Sequence, residues 1–177
     1  GDFEFTRKVK QAIKAGKLFR NNLVAKKAAQ EMVTNPSAVF SPWQLSSNAK
    51  IINTNSNSYA QLSQNNALIS QDIVFKNKYA LIEFDLYPKS ASGSTLEVKL
   101  SSAYSGGQAK EVILASYKLL SGLDFKGFRI NLSESKGIAT LLNKGKNSLH
   151  RVTFLLRAKS NSSAVVGLDN IKVTYKR

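Results

Sequence analysis

The 177-residue chain has no cysteine. That excludes disulfides, zinc-thiolate sites and cysteine nucleophiles. It has a single histidine, His150, and a single tryptophan, Trp43. No metal-histidine motif, phosphate-cradling glycine loop or nucleophile elbow is present. No apolar run approaches the ~18–20 residues that a membrane-crossing helix needs. Acidic side chains are also few, 11 against 26 Lys and Arg, for a formal net charge of +15. Such a chain is drawn to polyanions: nucleic acid, anionic lipid or acidic polysaccharide. The same charge also serves plain solubility, since Lys far outnumbers Arg and dense basic runs are confined to the N-terminal part.

What remains suffices for one folded unit with an appendage. The hydrophobic content of 42% is ample for a core. Residues 6–33, "TRKVKQAIKAGKLFRNNLVAKKAAQEMV", are rich in the good helix formers Ala, Lys, Gln, Leu and Glu. Thr6 is placed to cap the first turn, Gly16 to divide the stretch, and Asn35-Pro36 to end it. Val9, Ile13, Phe19 and Leu23 are its expected packing residues. The segment holds eight Lys or Arg and one Glu. It reads as a helical hairpin lying on the rest of the domain, with an anionic membrane or nucleic acid as its other possible partners. The Gly1-Asp2 start reads as a cut boundary, which leaves a removed leader or anchor open.

From residue 37 the period changes to two. In "KYALIEFDLYP" Ala80, Ile82, Phe84 and Leu86 share one face, and Tyr79, Leu81, Glu83, Asp85 and Tyr87 the other. Pro88 is expected to end this strand and "KSASGS" to turn it into the next, which carries Leu96, Val98 and Leu100. Further strands are predicted at "WQLSSNAKIIN", "SYAQLS", "LISQDIVF", "EVILASYKLL", "KGFRINLS", "LHRVTFLLRA" and the final segment. Short strands at this spacing predict a mainly β antiparallel sandwich of eight to ten strands. Its expected core holds Ile82, Phe84, Val98, Phe154, Ile171 and Val173. The division is 1–36, a first strand plus basic helical segment, and 37–177, the sandwich.

Candidate binding residues follow from the faces. Tyr79 and Tyr87 flank Glu83 and Asp85 on the polar side of one strand, combining rings with hydrogen-bond acceptors. Trp43 is either a sugar platform or a core residue. Arg129 and Arg157 alternate with apolar neighbours and should face outward, toward solvent or an acidic glycan. Catalysis has little support. Glu83 and Asp85 share a face, as a glycosidase pair would, but outer-face carboxylates usually meet water or Lys. His150 beside Arg151 reads as structural.

The motifs "GDFEF" at 1–5, "SPWQLSS" at 41–47, "SYAQLS" at 58–63, "ISQDIVFKNKYALIEFDL" at 69–86, "SGSTLEVKLS" at 92–101 and "GLDNIKVTY" at 167–175 run in a familiar order. Together they resemble jelly-roll carbohydrate-binding modules with the galactose-binding-domain-like fold. Residues 6–33 depart from that pattern, where such modules have a short loop. The resemblance implies a jelly roll, to which the composition of this chain adds an N-terminal helical segment. It also implies a non-catalytic, secreted or cell-surface role and a polysaccharide or glycan partner, acidic glycans included, within a larger protein or assembly. It further implies a structural calcium held by Asp169 with Asp2 and Glu4. The alternative is a structural or assembly jelly roll whose basic helical arm binds a protein, an anionic membrane or nucleic acid.

Overall fold

The computed structural model describes residues 43–54, 57–75, 78–102, 110–135, 137–142, 148–159 and 162–175. Asp2, Glu4 and the segment 6–33 lie outside these residues. Among the described residues there are ten strands: β1 (Gln44–Leu45), β2 (Ala49–Asn53), β3 (Ser58–Ser63), β4 (Leu68–Phe75), β5 (Ala80–Ser90), β6 (Thr95–Ser102), β7 (Glu111–Lys118), β8 (Lys126–Asn131), β9 (Ser148–Arg157) and β10 (Val165–Tyr175). They form two five-stranded sheets, ordered β1-β4-β9-β6-β7 (sheet A) and β2-β3-β10-β5-β8 (sheet B). All pairings are antiparallel. A short 3-10 turn at Leu132–Glu134 and a one-turn helix at Ile138–Leu142 sit between β8 and β9.

The core lies between the sheets, where the alternation placed it. All six expected core residues are buried. Phe84 of sheet B meets Phe154 of sheet A edge-on at 5.0 Å and stacks on Phe128 at 5.6 Å. Trp43, 1% exposed, packs against Phe154 at 6.2 Å. Its indole therefore belongs to the core and offers no platform to a surface ligand.

Pro88 does not end its strand, because β5 continues to Ser90. The register explains the difference. β8 pairs with β5 only from Leu81 to Leu86, so Pro88 has no strand partner on that side. On the other side the ladder with β10 shifts between Val165–Ser90 and Gly167–Tyr87, which places Pro88 at a bulge. A residue without an N–H is tolerated at such a position. Its carbonyl still accepts a bond from the Gly122 N–H at 2.8 Å.

His150 points inward from β9 and is 2% exposed, with Phe75 at 6.1 Å. Burial pushes its pKa below the usual histidine value, against a smaller opposing effect of a hydrogen bond with the Ser101 backbone. The unfolded chain, with histidine near 6.5, then binds the proton more readily than the folded one. Stability should therefore fall as pH drops below about 6.5, until the folded-state pKa is passed. Urea denaturation from pH 8 to 5 should show this decline, and His150→Gln should flatten it within that window.

Candidate functional site

The outer face of sheet B gathers the polar chemistry. β5 contributes Glu83, Asp85 and Tyr87, and β8 contributes Arg129 opposite Glu83. β10 contributes Lys172 opposite Glu83, and Asp169 opposite Asp85. Between Asp169 and Lys172, three steps on β10 match two on β5, so β10 holds one extra residue. This bulge is what the Asp169-Asn170 pair is for. Asn170 takes φ +48, a left-handed conformation that Asn adopts more readily than most residues. The Asp169 carboxylate accepts from the Asn170 N–H at 2.7 Å and from Asn57 Nδ2 at 2.6 Å. Asn170 is turned outward, and its Nδ2 donates to Asp85 Oδ2 at 2.7 Å.

Beside this lies an ion-pair group. Glu83 accepts from Arg129 Nε and Nη2 at 3.1 and 2.8 Å and from the Thr174 hydroxyl at 3.1 Å, with Lys172 Nζ at 3.7 Å. The Arg129 hydrogen bonds dominate in holding the Glu83 carboxyl below its ordinary pKa, aided by Thr174 and Lys172 against the opposing cost of burial. Glu83, Asp85, Gly127, Arg129, Asn170 and Lys172 line a depression of about 600 Å³. Gly127 sits opposite Asp85 and supplies no side chain to fill it.

An aromatic ledge adjoins the depression. Phe125 contacts Tyr59 at 5.5 Å and Tyr87 at 5.3 Å between ring centres. The rings of Tyr59 and Phe125 lie over Gly167, where a Cβ would come within 3.2 Å of both. Tyr87 and Asp85 are two residues apart on one strand, so ledge and depression are about 7 Å apart.

The site thus brings together four of the residues expected from sequence: Glu83, Asp85, Tyr87 and Arg129. Tyr79 does not join them. It precedes β5 at the other end of the strand, exposed, with Lys78 Nζ 5.5 Å from its ring centre. Arg157 lies on sheet A, bonded to Glu97 and Asn66. The sequence reading missed Phe125, Asn57, Lys172 and Gly127, and left Tyr59 unplaced. The available signal was the glycine at 167 among bulky strand residues, which marks a close approach from above.

Of the three expected calcium ligands, Asp169 is the one among the described residues. Both Asp169 oxygens face N–H donors, whereas calcium takes an oxygen-only shell of six to eight ligands. Among the described residues no group of three or more His, Cys, Asp or Glu is placed to hold a metal. Asp2 and Glu4, the other two expected ligands, lie outside them.

No protein-family model matches the chain. A search of curated proteins finds no match either. Solved structures do match. A family 61 carbohydrate-binding module, in complex with beta-1,4-galactotriose, aligns over 80% of this chain and 96% of its own at 14% identity, TM-score 0.52. The CBM22-1 xylan-binding domain of a Paenibacillus barcinonensis protein aligns over 75% and 85% at 12% identity, TM-score 0.50. The CBM22-1–GH10 modules of a Clostridium thermocellum endo-1,4-beta-D-xylanase, complexed with xylohexaose, align over 80% of this chain and 27% of that one at 9% identity, TM-score 0.51. The fold is that of the jelly-roll carbohydrate-binding modules.

Replacing Asp169 by Ala leaves the Asn57 amide and the Asn170 N–H without their acceptor. Urea denaturation should show a loss of about 1–3 kcal/mol. Melting curves in millimolar calcium and in chelator test the calcium expectation: a calcium-induced rise in Tm that Asp169→Ala removes would show a metal shell that includes Asp169, and superimposed curves would leave Asp169 as a bulge residue alone.

Proposed function

We propose that this protein is a non-catalytic carbohydrate-binding module that takes its glycan on the outer face of sheet B. The observation that carries the reading is the aromatic ledge of Tyr59, Tyr87 and Phe125, about 7 Å from a depression of carboxylates, an amide and a guanidinium. Sugars need that combination. Their C–H faces are apolar and stack on rings, while their hydroxyls seek paired donors and acceptors. Asp85 and Asn170 offer acceptor oxygens, and Arg129 and Lys172 offer donors. The likeness of fold to carbohydrate-binding modules supports the same reading.

A binding role suits the electrostatics better than hydrolysis. A glycosidase acid must keep its proton near neutral pH through a raised pKa. Glu83 is shifted the other way by Arg129. A secreted or surface location and attachment to a larger protein fit the reading. Among the described residues no helix is long and apolar enough to cross a membrane.

Affinity electrophoresis and calorimetry against galactan, xylan, glucan and uronate polymers test the proposal. Retention by at least one polymer is expected. Tyr87→Ala and Asp85→Ala should each weaken it about tenfold or more, at the scale of one ring contact or one charged hydrogen bond. Arg157→Ala, on the other sheet, should leave it unchanged. The Glu83–Arg129 pair persists until pH falls through the depressed Glu83 pKa, so affinity should stay level from pH 8 to about 5 and decline only below about 4.5. Absence of retention by every polymer, or equal retention of all variants, sinks the reading.

A further inference from the structure

The β7–β8 connection, residues 119–125, shows two of its leucines to water. Leu120 is 80% exposed and Leu123 is 89% exposed. Their exposure does not come from a loose loop. Leu119 is buried, and its N–H bonds the Ser94 carbonyl at 2.9 Å. Ser121 Oγ accepts from the Ala91 and Ser92 N–H groups at 3.0 and 3.3 Å, and Ser92 Oγ accepts from the Ser121 N–H at 3.1 Å. Gly122 is tied to the Pro88 carbonyl. With the backbone pinned at 119, 121 and 122, Leu120 and Leu123 are held outward.

The surroundings are basic. The β5–β6, β7–β8 and β9–β10 connections meet at this end of the sandwich, as the pairings Val165–Ser90, Thr95–Lys118 and Thr95–Arg157 require. Exposed Lys89, Lys118, Lys126 and Lys159 stand there with a single exposed acid, Asp124. Among the described residues none of these lysines is in an ion pair. Glu97 nearby is already bonded to Arg157.

We propose that this end docks on an anionic lipid surface, with Leu120 and Leu123 entering the headgroup–acyl boundary and the lysines meeting the headgroups. Leucine and lysine together select this occupant. A second copy would set lysines against lysines. Nucleic acid or an acidic polysaccharide would engage the lysines and leave the leucines in water. An anionic bilayer rewards both, by apolar burial and by surface potential. Leu120 and Leu123 do not line the glycan depression, although the loop that carries them runs on into Phe125 of the aromatic ledge.

Co-sedimentation of the full chain with phosphatidylcholine vesicles, with and without phosphatidylserine, tests this at physiological salt. Binding is expected only where phosphatidylserine is present. Because the whole chain is cationic, the deciding variant keeps its charge: Leu120→Ser with Leu123→Ser should weaken binding about tenfold or more, with an unchanged Tm. In a second variant, Leu123→Trp should blue-shift its emission on anionic vesicles, against a constant signal from buried Trp43. Wild-type affinity in the double serine variant would mean that charge does the binding and overturns the proposal. So would an unshifted Leu123→Trp spectrum, failure to bind anionic vesicles, or a double-variant defect confined to polysaccharide retention. Glycan binding read in parallel keeps this result separate from the fate of the carbohydrate site.

Discussion

One slip in hydrophobic phase governs the centre of sheet B. Along β10 the inward residues are Val166 and Leu168, then Ile171 and Val173. The gap from Leu168 to Ile171 is three where a regular strand needs two. A strand cannot bury both sets without an extra residue between them. The bulge at Asp169-Asn170 is that residue's place, and it keeps β10 paired with β3 on one side and β5 on the other. Asn is suited to the left-handed turn this requires, and Asp169 satisfies the backbone N–H that the turn displaces. Core packing therefore dictates where an amide is turned out of the sheet.

The surface chemistry follows from that displacement and from two missing side chains. Gly127 leaves room beside Asp85, and Gly167 lets two rings settle onto the sheet. Each carboxylate in the region is already held: Asp169 by Asn57, Asp85 by Asn170 and Glu83 by Arg129. Groups positioned by one another lose little freedom when a ligand arrives, so less of the binding free energy is spent on ordering. The ion pair is solvent-facing and adds little to stability. Its consequence is the orientation of the guanidinium.

Period-two alternation was enough to read the sandwich, its inward residues and the polar face of β5 from sequence, because alternation reports directly which way a side chain points. Glu83, Asp85, Tyr87 and Arg129 were legible for that reason. Trp43 was not, because a lone aromatic at a strand entrance looks the same whether it stacks on a sugar or on Phe154. Tyr59, Phe125 and Asn57 come from other parts of the chain, and only the strand order β3-β10-β5-β8 brings them beside Tyr87 and Asp169. Strand order depends on long-range pairing, which no local pattern encodes. Pro88 misled for a related reason. Its cost depends on whether a partner faces its missing N–H, and that is a property of the register.

The central position of β10 also sets an order of events in synthesis. Within sheet B, β10 joins the β2-β3 pair to the β5-β8 pair, and it is made after all four. Until it leaves the ribosome, the facing edges of β3 and β5 have no partner. Sheet B therefore closes late, through contacts distant in sequence, a topology that folds slowly and leaves strand edges open to wrong partners meanwhile. A nascent chain stalled before residue 165 would hold two unconnected halves of one sheet, each a target for a chaperone.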